Sequence, residues 1–316
     1  MRQLSNALLL LAALFLPALP SLAQTSSTAA NDPNLEFPTR MHTVAREGYT
    51  ISALVTHHGT PQAFRHGVAL FAGHPGILKL REEDGAVRFD LRGNFLVRSR
   101  RQWLDEDILV AVVDAPSDQW ASFSQQWRET PRYGADVAAL LTDIGARYKV
   151  ADWSFVGTSE GSISAFHAAR MNPALARRLI LTASVFSPSR NGPGLSGVEL
   201  AALPAATLWV HHEDDPCRYT AYRDAQGFAA KSGKPLLTLR GGGPGRGGAC
   251  EAYTAHGFVG VGIGYLVQGG FGQGAHKGAR LNGNGALFHF YQAAEHQRAY
   301  QRRQGAHTVG QAALGV

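Results

Sequence analysis

Phe155-Val156-Gly157-Thr158-Ser159-Glu160-Gly161 is the stretch that decides how this chain folds. It sets a G-x-S-x-G directly after a short apolar run, Trp153 to Val156, and directly before Gly161 to Met171, which is suited to a helix. A serine held between a strand and a helix sits on a strained turn that exposes its hydroxyl, and the flanking glycines relieve the crowding. Ala165 and Ala168 are small enough to let that helix lie close on a sheet.

Working outward, the same alternation repeats. Met41 to Ala45 and Thr50 to Thr56 predict a hairpin around Glu47-Gly48. Gly67 to Ala72 and Ile108 to Val113 are continuous apolar runs of the kind buried in a parallel sheet. Val137, Leu140, Leu141 and Ile144 fall at helical spacing between Tyr133 and Tyr148. Further strands are predicted at Leu179 to Val185, Leu208 to His211 and Leu236 to Leu239, with a helix over Tyr219 to Lys231. Strands alternating with helices imply an α/β fold with a mostly parallel central sheet flanked by helices. The stretch between Val185 and Leu208, rich in Ser, Pro and Gly, is too short for a large cap domain, which predicts an open pocket.

The two ends differ from this core. Residues 1–23 begin with Arg2, run through apolar Ala7 to Phe15 and close on Ser21-Leu22-Ala23, the pattern of a cleaved export signal. The apolar run falls short of the ~20 residues a membrane span needs, so no stable span is expected. Residues 24–34 form a polar mature terminus expected to be mobile, and residues 35–258 the folded domain. Residues 259–316 are dense in glycine, hold Glu295 as their only acid, and predict a partly helical appendage or the product of a shifted reading frame. Net charge is +6, but no Lys/Arg run alternates with aromatic residues, so no nucleic-acid partner is expected.

A serine hydroxyl needs a base to become a nucleophile, and the base needs an acid to hold its tautomer. In this strand-turn-helix context the acid and base follow the serine along the chain. Thr207 to Arg218 reads as a strand opening into Glu213, Asp214 and Asp215, of which Asp215 is preferred because Pro216 suits a turn leaving the strand end; Asp214 stays open as the alternative. Among 13 histidines, His256 alone combines the right order with a preceding glycine-rich loop, Gly241 to Gly248. The oxyanion needs backbone donors, expected from the N–H of Glu160 and, after the third strand, of His74, since Pro75 has none. The Glu160 carboxylate, in the first helical turn, is expected to favour the helix dipole. Trp120 and Trp127 are candidates for the pocket wall. The two cysteines, Cys217 and Cys250, predict a disulfide in an oxidising compartment, tying the Asp215 loop to the His256 loop.

With AGHPG (Ala72 to Gly76), VVDAPSD (Val112 to Asp118), VGTSEG (Val156 to Gly161), HHEDDPC (His211 to Cys217) and AHGF (Ala255 to Phe258), the chain resembles the α/β-hydrolase superfamily, and within it exported bacterial serine hydrolases. Those relatives have no assigned substrate; with the resemblance, the residues are read as a serine hydrolase with Ser159, Asp215 and His256 as its triad, expected to cleave an ester-type acyl bond of a small-molecule or lipid-like substrate without metal or cofactor. Acyl transfer, amide or peptide cleavage, and a non-catalytic envelope binding protein are the alternatives. A periplasmic or secreted location goes with the export signal. Ala72 and His74 stand where many relatives have HGGPG, and the glycine-rich tail stands where relatives place a closing helix.

Overall fold

The computed structural model describes residues 37 and 39–259, apart from 59–62, 105–106, 151 and 243–244. Residues 1–23, expected to be an export signal, residues 24–34 and the tail beyond Val259 lie outside the described residues. Within them, β1 (Thr39–Arg46) and β2 (Tyr49–Thr56) pair antiparallel around Glu47-Gly48. β3 (His66–Phe71) is followed by a small hairpin of β4 (Arg81–Glu83) and β5 (Ala86–Arg88), then by α1 (Phe95–Ser99) and β6 (Ile108–Val113). The chain continues through α2 (Gln125–Arg128), α3 (Pro131–Tyr148), β7 (Asp152–Thr158), α4 (Glu160–Met171), β8 (Ala176–Thr182), β9 (Thr207–His212), α5 (Tyr222–Ser232) and β10 (Leu236–Leu239).

Eight strands form one sheet in the order β1-β2-β6-β3-β7-β8-β9-β10. β2 runs antiparallel to β1 and β6, and every later pairing is parallel. The continuous apolar runs are explained by two cores, one on each face. Along β6, Leu109, Ala111 and Val113 enter the core shared with α3, α4 and α5, while Ile108, Val110 and Val112 enter the core shared with α1 and Phe258. Alternate residues of a strand point to opposite faces, so a strand buried on both must be apolar throughout.

α3 shows how local chemistry sets an element. Thr130 accepts the Tyr133 N–H at 3.3 Å as N-cap, Pro131 occupies the first turn where its missing donor costs nothing, and the helix ends at Lys149 in the left-handed region (φ 55). Val137, Leu140, Leu141 and Ile144 are all wholly buried, as their spacing predicts. β8 ends at Thr182 rather than Val185, because Ala183 turns the backbone to φ 40. The hairpin β4–β5 and the short helices α1 and α2 hold too few residues to show a period. No cap domain stands between β8 and β9; a loop with one turn of 3-10 helix at Leu200–Ala202 connects them. Among the described residues no helix is long and apolar enough to cross a membrane.

Candidate active site

Ser159 lies between β7 and α4 at φ 52, ψ −128, a region that a residue with a side chain enters only under strain. Such strain costs on the order of 1–3 kcal/mol and must be held by its surroundings. Here the Ser159 N–H donates to the Thr182 and Ala183 carbonyls, each at 3.1 Å, pinning the turn to the end of β8. The two glycines permit close approach: a Cβ on Gly157 would stand 2.2 Å from the Gly161 carbonyl oxygen, and one on Gly161 2.0 Å from that of Phe71. The Ser159 side chain is partly exposed, and its hydroxyl makes no hydrogen bond among the described residues. The first N–H groups of α4 have no partner within the helix, leaving donors beside the serine.

Asp215 and His256, 41 residues apart, meet over the carboxyl ends of β8 and β9. His256 Nδ1 is 3.1 Å from Asp215 Oδ2 and 3.1 Å from the Thr220 hydroxyl, and that hydroxyl donates to the same Asp215 oxygen at 2.8 Å. Because the hydroxyl proton is committed to Asp215, the Thr220 oxygen can only accept from Nδ1, so the Nδ1–H tautomer is favoured and Nε2 is left with its lone pair. The Cys217 N–H donates to the other carboxylate oxygen at 2.9 Å. The Asp215 side chain is thus wholly buried with three donors, whereas Asp214 is exposed. Cys217 and Cys250 form a disulfide, joining the segment after Asp215 to the segment before His256. From α1, the Arg98 guanidinium donates to the Gly93 carbonyl at 2.6 Å, to Ala252 at 3.1 Å and to Gly257, clamping the turn that carries His256.

An eight-stranded, mostly parallel sheet with its second strand reversed carries a strained serine between a strand and the helix behind it. This is the α/β-hydrolase fold. Solved structures similar to the chain include a cold-adapted esterase from an Arctic intertidal metagenomic library, at 16% identity and TM-score 0.47, covering 66% of this chain and 86% of that one. Est1E from Butyrivibrio proteoclasticus matches at 12% identity and TM-score 0.45, covering 64% and 88%. An α-β serine hydrolase homologue from Coxiella burnetii matches at 15% identity and TM-score 0.43, covering 65% and 88%. No protein-family model and no curated protein matches the chain. Strand order and the turn at Ser159, seen in this chain itself, carry the assignment.

A cleft of about 400 Å³ opens at Ser159, bounded by His74, Glu160, Arg190, Asn191, Arg218 and the disulfide. The Glu160 side chain lies in the first turn of α4, as expected, and it also meets other groups there. Its Oε2 lies 3.0 Å from His74 Nδ1 and 3.6 Å from Arg128, and its Oε1 accepts from the Asn191 amide at 2.6 Å. Burial alone would raise the Glu160 pKa, but the His74 hydrogen bond, the Arg128 charge and the Asn191 bond outweigh it and hold the carboxyl below its usual range. The hydrogen bond to Glu160 raises His74 in turn, against burial.

Arg128 is itself buried and donates to Ser164 at 2.6 Å and to the Pro75 carbonyl at 2.7 Å, so one cation braces both α4 and the loop after β3. Asp114 braces the far end of that loop, accepting the Leu78 and Leu80 N–H groups at 2.6 and 2.9 Å. Its burial outweighs these donors and pushes its pKa up to about 6. Within the loop, Gly73 packs on the serine: a Cβ there would lie 3.1 Å from Ser159 Cβ, which sets His74 at the rim.

Trp120 and Trp127 do not line the cleft. Both pack against the core, Trp120 with its indole N–H on the Ala115 carbonyl at 3.1 Å and Trp127 against Phe123 and Tyr133, because apolar burial outweighs exposure for rings of this size. The loop after β8 supplies the wall instead, through Arg190 and Asn191. Sequence reasoning missed Thr220, Arg128, Asn191 and Arg98, whose roles arise from contacts across the fold. Thr220 lies five residues after Asp215, near enough for its hydroxyl to be considered as a partner.

Proposed function

We propose that the chain is an exported serine hydrolase that cleaves carboxylic esters through Ser159, His256 and Asp215. The observation that carries this is the Asp215–His256 hydrogen bond, in the tautomer that leaves Nε2 free, together with a strained and accessible serine at the start of α4 whose cleft is also lined by the Cys217–Cys250 bridge. In this reading the domain spans residues 35–258, residues 1–23 are a removed export signal, and the Cys217–Cys250 bridge fits an oxidising compartment.

Ser159 Oγ attacks the ester carbonyl as its proton passes to His256 Nε2. Asp215 stabilises the imidazolium that forms without itself taking a proton. The negative oxygen is met by the Glu160 N–H and, as second donor, the His74 N–H. Glu160's own charge is balanced by His74 and Arg128, which limits its repulsion of the oxyanion. Collapse of the tetrahedral intermediate expels the alcohol, which takes the proton from His256 and leaves an acyl-enzyme. Water, deprotonated by His256, attacks the acyl carbon, and Ser159 leaves with the proton returned. The open cleft suits a short acyl group.

A fluorophosphonate probe and p-nitrophenyl esters of graded chain length test the proposal on the exported protein. Expected are a label on Ser159 and turnover that is fastest for short chains. Folded protein that takes no label, or that cleaves none of the esters, would overturn it.

A further inference from the structure

The polar groups around Ser159 fall into two sets. Glu160 is matched by His74, Arg128 and Asn191, and Asp215 by His256, Thr220 and the Cys217 N–H. Arg190 and Arg218 are not matched in this way: both are exposed, and neither lies in an ion pair with a carboxylate among the described residues. They stand on separate loops, after β8 and after β9, yet both line the cleft at Ser159 and the adjoining cavity of about 400 Å³, together with Ser189 and Tyr219. Arg218 is held over the Tyr219 ring at 4.7 Å from its centroid and donates to its hydroxyl at 2.5 Å, which restricts where the guanidinium can go. Against these two cations the cleft offers one unmatched carboxylate, Glu251.

Resting on the reading of Ser159 as nucleophile, we infer that Arg190 and Arg218 form an anion subsite, and that the substrates are esters whose acyl part ends in a carboxylate. Two guanidinium groups from different loops converge on one cavity next to the reacting serine. Guanidinium is the cation best suited to a planar carboxylate, because its fork of N–H donors matches both oxygens. Arg190 and Arg218 line both the cleft at Ser159 and the adjoining cavity, so a carboxylate bound between them leaves the ester carbonyl in the cleft of Ser159. The chemistry at Ser159 is unchanged: an acyl-enzyme forms, an alcohol leaves, and water releases a dicarboxylic acid.

The test compares the p-nitrophenyl hemiester of glutaric acid with its methyl ester, which keeps the same glutaryl chain, adds one methyl group and removes the charge. The charged ester is expected to have a kcat/KM higher on the order of tenfold, with the ratio shrinking as salt is added. In Arg190→Gln/Arg218→Gln protein the ratio falls toward one, and in Arg190→Lys/Arg218→Lys protein part of it returns. Equal or lower kcat/KM for the charged ester in the wild type overturns the subsite. Titration of the two esters into Ser159→Ala protein reads the subsite without turnover. Charge-selective binding by the Ser159→Ala protein alongside an inactive wild type would break the proposed function and leave the subsite standing, whereas wild-type turnover of both esters without selective binding would do the reverse.

Discussion

At the two ends of β7 lie two groupings of serine, histidine and aspartate. Near its start, His66 Nε2 lies 2.8 Å from the Ser154 hydroxyl and Nδ1 bonds to Asp152. His66 and Asp152 face each other across the β3–β7 pairing. At its far end stand Ser159, His256 and Asp215. By hydrogen bonds alone the first is the better connected, since the Ser159 hydroxyl is unbonded. It lacks everything else. Ser154 is wholly buried within β7, and Arg178 lies 3.6 Å from Asp152, drawing it into an ion pair. Ser159 is partly exposed, on a left-handed turn, before a 12-residue helix in whose first two residues, Glu160 and Gly161, the N–H groups have no acceptor within the helix. A triad is therefore more than three residues in reach of one another: it needs an exposed nucleophile and donors for the charge that develops.

The largest effect expected follows from that difference. Ser159→Ala should lower turnover on the order of 10⁶-fold and abolish fluorophosphonate labelling. Ser154→Ala should leave the label in place and lower the melting temperature instead, because a buried polar atom left unpaired costs about 1–3 kcal/mol. Label on Ser154 would reverse the comparison.

Next come the acids. Asp215→Asn should cost ~10⁴ in turnover, the effect of losing the group that sets the tautomer of the base. Asp214→Asn should cost little, and Asp152→Asn should act on stability rather than kcat. If Asp214→Asn proved the more damaging in steady-state assays, the role given to Asp215 would fall.

The disulfide sharpens the comparison further, for only the Ser159 end is tied by a covalent bond. Closing a loop between residues 33 apart contributes about 3–4 kcal/mol in the chain-entropy model. In Cys217→Ser/Cys250→Ser protein assayed well below its melting temperature, turnover should also fall, by up to ~10²-fold, as the base shifts by about 1 Å. Unchanged kinetics in that variant would confine the bridge to stability.

The smallest effect is on pH dependence. Burial holds His66 below its usual pKa against the pull of Asp152, and pushes His211, whose Nε2 accepts the Ser184 N–H at 2.9 Å, down to about 3. Both are therefore less readily protonated in the folded protein than in the unfolded chain, where histidine titrates near 6.5. Their contribution to stability is whole above that value and is lost as pH falls toward the folded pKa. For His211 the slope is about 1.4 kcal/mol per pH unit within that window. Urea midpoints at pH 7.5 and 5 should show the drop, and His211→Gln should flatten it; a midpoint that does not move with pH would contradict the assignment.

Local sequence determined a good deal of this protein. Apolar runs buried on both faces, glycines at a close approach and a capped, periodic α3 each read directly as elements, since backbone sterics and side-chain spacing act over a few residues. The order of Ser159, Asp215 and His256 and the even cysteine count were legible for the same reason, and the disulfide is present. What only the tertiary structure decided lies between distant segments. Trp120 and Trp127 turn into the core, Glu160 in the first turn of α4 meets His74, Arg128 and Asn191, and Thr220 bonds both Asp215 and His256. Arg190 and Arg218, unremarkable on their own loops, share one cavity. These contacts join residues far apart in the chain, and the energy of a buried charge or hydrogen bond depends on which partners the packed fold brings within about 3 Å, a distance no local pattern encodes.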